Sequence, residues 1–181
     1  MTPPATGPTH NLTPTVTGHA GINAGALIPL RGGDPSNTVA TLEIPVGANF
    51  AVSRNNFLLV GARGALSLNS DPAGLLTGTV GYARYLGTGQ FLSLRVHAGS
   101  VLGNFGLAGP NSDSEYSPVV SGEATWTNGL PIPHPALIWL TGATISVEAG
   151  HIIDDDITYA LIKFGWTAPD IREFFKFLSD L

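Results

Sequence analysis

Three groups of residues in this 181-residue chain have the chemistry to do work. His97 and Ser100, with Glu123 on a later segment, offer a base, a nucleophile and an orienting carboxylate. A separation of three residues sets His97 and Ser100 on opposite faces of a strand, which breaks a hydrogen-bonded pair. The run Asp154, Asp155, Asp156 offers the hard oxygen ligands that divalent cations take, and it is the weak metal candidate of the sequence; such a run more often forms a solvated loop. The third group is a set of isolated charges, Glu43, Arg63, Arg95, Glu123, Glu148 and Lys163, with His97 among them. The glycines match no phosphate-cradling or dinucleotide-binding pattern, and the absence of Cys excludes disulfides and thiolate-bound zinc. The expectation is therefore no catalytic constellation and no cofactor.

The elements that carry these residues are strands. Between Val39 and Ser53 the even positions read Ala40, Leu42, Ile44, Val46, Ala48, Phe50 and Val52, and the odd positions are mostly small or polar. A helix would scramble that alternation, and a half-buried strand requires it. The same period returns over 16–30, 57–69, 75–86, 91–103, 116–127, 136–150 and 157–167, which makes eight strands. Residues 1–15 read as an extended tail, 16–167 as the strand domain, and 168–181 as a short amphipathic helix begun by Pro169. The connections, rich in Gly, Asp, Asn and Pro, roughly alternate in length, as in an up-and-down meander.

Only 12% of the residues are charged, half the usual share, while 43% are apolar, so disorder is excluded. The net charge of −5 and the lack of any Lys/Arg cluster argue against nucleic acid as a partner. The uncharged stretch 124–147 is broken by Pro131, Pro133 and Pro135 and is no spanning helix. No secretory leader is visible at the N-terminus.

Two barrels share this alternation, and the polar face distinguishes them. It carries Gly, Ala, Ser, Thr and Asn with about one charge per strand, whereas a water-facing sheet carries many Lys and Glu. Small residues with a lone charge suit the narrow interior of an eight-stranded barrel, and three acids balance three bases, as buried charge requires. Neighbouring strands offer Arg63 to Glu43 and Arg95 to Glu123. Leu42, Ile44, Val46, Leu94, Val96 and Leu137 then face lipid. Phe50, Tyr82, Trp126, Trp139, Phe164 and Trp166, with Phe57, Tyr85 and Phe91, flank one set of connections and read as an interfacial aromatic girdle.

With its eight strands, apolar outer parity, balanced inner charges and last strand ITYALIKFGW, the chain resembles the small bacterial outer-membrane β-barrels of the OmpA transmembrane-domain class. The resemblance implies an all-β, eight-stranded antiparallel up-and-down membrane barrel in the bacterial outer membrane, with membrane lipid as its partner. It also implies that the aromatic rim faces the periplasm. Lipid A deacylases of this shape use a His-x-Ser pair, which His97-Ala98-Gly99-Ser100 does not match. The helix after the last strand is a departure from the class. Its stripe of Ile171, Phe174, Phe175, Leu178 and Leu181 needs cover from the membrane interface, the barrel rim or another protein subunit, and the last is favoured. The function expected is non-enzymatic anchoring or partner docking. A narrow transport or leak pathway and a soluble calycin-like ligand-binding barrel are the alternatives.

Overall fold

The computed structural model describes residues 16–34, 36–68, 73–87, 89–103, 116–128 and 142–168. They form β1 (Val16–Arg31), β2 (Val39–Ser53), β3 (Asn56–Ser67), β4 (Gly74–Tyr85), β5 (Gln90–Leu102), β6 (Tyr116–Asn128), β7 (Ala143–Ile152) and β8 (Ile157–Ala168). Each strand pairs antiparallel with its sequence neighbour, and β8 returns to β1 to close the barrel. Closure removes every free edge. The strands have 10 to 16 residues, enough to cross a bilayer at the tilt that an eight-stranded barrel imposes.

Two rims differ in their connections. One carries the short links 54–55 and 86–89, the link 129–142, and the points where the chain enters β1 and leaves β8. We call it the turn rim, and the opposite one the loop rim. Gly87 and Gly89, with φ of 85° and 74°, make the β4–β5 turn in a backbone region that L side chains seldom adopt. At the loop rim the Ser36 hydroxyl and N–H both donate to Asp34 Oδ1, at 2.7 and 2.9 Å, and hold that carboxyl below its ordinary range.

The seventh strand begins later than the alternation predicts. The sequence places it from 136, but β7 starts at Ala143, because Gly142 turns at φ 91° and its N–H donates to the Asn128 carbonyl at 2.6 Å. Residues 129–141, and with them Leu137 and Trp139, lie outside the described residues, as does the helix expected over 169–181. The eighth strand runs one residue further than expected, to Ala168.

Side-chain parity sorts the wall into two surfaces. Most outward positions are apolar and exposed, among them Ile44, Val46, Val60, Val80, Leu94, Val96, Val147 and Phe164, while outward Ala20 and Ala168 are buried and Arg84 is charged. Inward positions hold the buried polar and charged groups. The lumen is not uniformly polar, however. Toward the loop rim it is packed with Leu27, Val39, Leu75, Val101, Ile157 and Leu161, each 6% exposed or less. The expectation of small and polar filling throughout is therefore corrected: the inward parity turns apolar at that end, and the side chains plug it.

Candidate functional site: a buried charge belt

Halfway along the lumen, inward positions from β2, β3, β6, β7 and β8 converge. The register puts Glu123 directly opposite Glu148, two like charges side by side. Such a cross-strand pair is destabilising by itself. Two cations that reach in from other strands make it stable.

Arg63 is the larger of the two. Its guanidinium reaches from β3 to the far wall and holds Glu148 with both ends, Nη1 to Oε2 at 2.5 Å and Nη2 to Oε1 at 2.6 Å. Nη1 also meets Glu43 Oε2 at 2.9 Å, while Nε donates to Thr77 Oγ1 at 3.0 Å. A planar fork with five donors suits this task, and a lysine could not make the bidentate contact. Lys163 supplies the second charge: Nζ lies 3.0 Å from Glu43 Oε2 and 3.1 Å from Glu148 Oε2, and it donates to Glu123. The side chains of these five residues are at most 3% exposed.

Hydroxyl and amide groups satisfy the remaining carboxylate oxygens. Asn23 donates to Glu43 at 2.9 Å, the Tyr159 hydroxyl to Glu148 at 3.1 Å, and Thr125 to Glu123. Thr144 in turn donates to Asn23 Oδ1 at 3.1 Å. Sequence reasoning missed this shell of Asn23, Thr77, Thr125, Thr144 and Tyr159. The signal was their inward parity, but assigning partners needed the exact register: Asn23 stands opposite Glu43 and Thr77 opposite Arg63 on neighbouring strands, while Thr144 reaches Asn23 from β7 to β1.

Arg95 and His97 lie toward the turn rim side of the belt. Arg95 stands directly opposite Glu123 in the register, yet Nη1 is 3.4 Å from Oε1 and the side chain is 13% exposed, a looser contact than those of Arg63. His97 is buried, with Nδ1 2.8 Å from Thr79 Oγ1 and Nε2 3.4 Å from Glu123. Together with His19 they line a cavity whose volume open to water is about 10 Å³, room for about one molecule. Ser100 has the outward parity, on the opposite face of β5 from His97, so the two share no site.

Among the described residues, the group of three His, Asp or Glu side chains with ligand atoms within 4.8 Å of one another is His97, Glu123 and Glu148. Arg63 and Lys163 already occupy those carboxylates, and a divalent ion there would sit against two fixed cations. At the loop rim Asp155 accepts from Ser117 at 2.9 Å, and Asp156 turns toward His151 at 3.8 Å. Asp154 and Asp156 are exposed, and the run gathers no such cluster.

The large inward side chains need space, and glycine on the neighbouring strand gives it. His19 lies opposite Gly47, Lys163 opposite Gly25, Arg95 opposite Gly81, and Tyr159 opposite Gly150. A Cβ on Gly150 would come within 2.4 Å of the Tyr159 ring. Gly150→Val is therefore expected to cost about 1–3 kcal/mol in equilibrium unfolding, by overpacking. Gly122→Val, which faces outward where a Cβ meets nothing within 4 Å, should leave stability nearly unchanged.

The aromatics divide by parity. Phe50, Tyr82 and Phe164 face outward and are exposed, with Trp126 and Trp166 half-buried on the same face. Phe57, Tyr85 and Phe91 do not belong to an outer girdle. They have the inward parity at the turn rim, where Phe91 meets Phe57 edge-on at 6.1 Å and Tyr85 at 5.2 Å between ring centroids. Cross-strand packing between β3, β4 and β5 accounts for that cluster.

No family model matches the chain, and no curated protein matches it. Solved structures do. The barrel resembles Neisserial surface protein A, with a TM-score of 0.51 at 10% identity over 85% of this chain and 96% of that one. The attachment invasion locus protein Ail of Yersinia pestis aligns at a TM-score of 0.41 and 10% identity, covering 84% of this chain and 97% of Ail. A de novo designed transmembrane β-barrel aligns at 0.39 and 19%, over 83% and 95%. The chain has the closed eight-stranded fold of the small bacterial outer-membrane β-barrels, the fold it shares with Neisserial surface protein A.

Proposed function

We propose that this chain is a bacterial outer-membrane barrel that serves as a non-enzymatic anchor, with membrane lipid as the partner of its wall and segment 168–181 as its docking element. The observation that carries the reading is an inversion of the usual soluble order. Large apolar side chains stand exposed around the outside, Leu94 at 61% and Val96 at 59%, while Glu148 and Lys163 are each 1% exposed inside. Water would disfavour such a wall, and hydrocarbon suits it. Fold likeness to Neisserial surface protein A supports the same location.

The lumen favours an anchor over a pathway. A solute entering from the turn rim meets the Arg63–Lys163 belt and, beyond it, the apolar plug of Leu27, Val39 and Ile157. Eight strands leave an interior that side chains can fill. In planar bilayers the reconstituted protein is expected to give no conductance steps above baseline. On alkaline extraction of vesicles it should stay with the lipid. Regular unitary steps would overturn the anchor reading, and release into the aqueous phase as a monomer would overturn the membrane reading.

A further inference from the structure

We propose that Arg84 and Arg54 form a site on the outer wall, at the turn rim, for the headgroup phosphate of an anionic phospholipid. Arg84 is out of place by parity. It shares the lipid-facing side of β4 with Leu76, Val80 and Tyr82 and is exposed there. Its cross-strand neighbours on that face are Asn56 and Leu92, and Leu86 follows it along the chain, exposed like Leu92. A charge on such a wall is costly at the bilayer midplane and nearly free at its edge. Val80 pairs with Val96 at mid-wall. Arg84 lies further along β4, about 13 Å along the strand and about 10 Å along the barrel axis. The apolar band ends about 12 Å from its midplane, so the guanidinium snorkels to headgroup level.

The rim supplies a second cation and no competing anion. The Tyr85 N–H donates to the Asn55 carbonyl at 2.8 Å, which ties the end of β4 to the β2–β3 turn, where Arg54 is exposed. Neither arginine pairs with a carboxylate among the described residues. The links 54–55, 86–89 and 129–142 contain no Asp or Glu, whereas those of the loop rim hold seven, with Arg31 the one base beside them. The acids of 169–181 follow β8, which stands across the ring from β4. Beside Arg84 the Tyr82 hydroxyl donates to Asn56 Oδ1 at 2.5 Å, and the Asn56 amide donates to Ser53 Oγ at 2.5 Å. Those polar groups are spent on one another, and the guanidinium is left for an outside partner. Its planar fork matches two phosphate oxygens. A lipid headgroup arrives at that height with the acyl chains that cover Leu92 and Tyr82, while an acidic protein must displace those chains to reach it. The inference rests on the membrane reading above and deepens it by naming the headgroup chemistry that the wall selects.

The chain has no native Cys, so a single introduced thiol can carry a bimane label. Leu92→Cys places it beside Arg84, and Leu102→Cys places it at the loop-rim end of the same strand, where the wall is also exposed. Each full-length protein is reconstituted in phosphatidylcholine vesicles that contain a small share of dibrominated phosphatidylglycerol or dibrominated phosphatidylcholine. Bimane quenching then gives the relative association of the two lipids. The site predicts an association constant about fivefold higher for phosphatidylglycerol at Leu92→Cys, the gain from a basic side chain at an anionic surface, and no preference at Leu102→Cys. Adding Arg54→Gln and Arg84→Gln should abolish the preference at Leu92→Cys. Equal quenching with both arginines in place would overturn the site and leave them to the carboxylates of 169–181 or to an acidic protein. A preference that survives the double substitution, or that is equal at Leu102→Cys, would overturn it as well. No quenching by either lipid at either label sinks the membrane reading itself, whereas quenching without preference leaves that reading standing.

Discussion

Arg63→Gln is expected to lower the stability of the folded barrel by about 3–5 kcal/mol, the range for breaking a buried ion pair from one side. The substitution removes the bidentate hold on Glu148 and the 2.9 Å contact with Glu43, and leaves three glutamates in the belt to Lys163 and the looser Arg95. Water cannot screen the surplus charge where the side chains are nearly unexposed. Denaturant titration in detergent or thin vesicles measures the loss. Arg95→Gln should cost clearly less, because its carboxylate contact is longer and its side chain is partly open. The double variant Arg63→Gln, Glu148→Gln should lose less than the two single losses added together, since it removes one charge of each sign. A loss below about 1 kcal/mol for Arg63→Gln, the range of exposed pairs, would contradict the account of the belt.

The second large effect lies on the other surface. Val96 is 59% exposed at the middle of β5, facing away from the lumen. Val96→Arg is expected to cost about 2–4 kcal/mol in vesicles, the cost of an arginine near the bilayer midplane. In a soluble barrel the same change would be nearly neutral or would improve solubility. Comparison with Thr79→Val, an inward change on the adjoining strand, keeps the effect specific: that variant removes the hydroxyl beside His97 Nδ1 without touching the wall.

The architecture was legible because each strand writes its two environments in alternation. Ile44 against Glu43, or Val147 against Glu148, already separates outside from inside. Eight such segments with alternating connections leave few topologies besides a closed meander. What alternation cannot carry is height along the barrel. Leu161 and Lys163 share a parity on β8, yet one packs into the plug and the other holds the carboxylates. Phe57 and Phe91 likewise read as girdle residues by their place in the chain and turn inward by parity. The belt was legible as a set of balanced charges. Its wiring was not, since Arg63 on β3 meets Glu148 on β7 only across a lumen that exists once β8 finds β1. The start of β7 at Ala143 depended on a hydrogen bond from Gly142 that no periodicity records.

The central claim is that this barrel turns its apolar face to lipid and its charge inward. A scan of single spin labels from Thr41 to Asn49, in vesicles with oxygen and a water-soluble nickel reagent as collision partners, tests it most directly. The account predicts oxygen-dominated contact at 42, 44, 46 and 48, and little contact with either reagent at 41, 43 and 45, where Thr41, Glu43 and Pro45 are buried. Nickel-dominated contact at the even positions, or uniform protection across both parities, would contradict it.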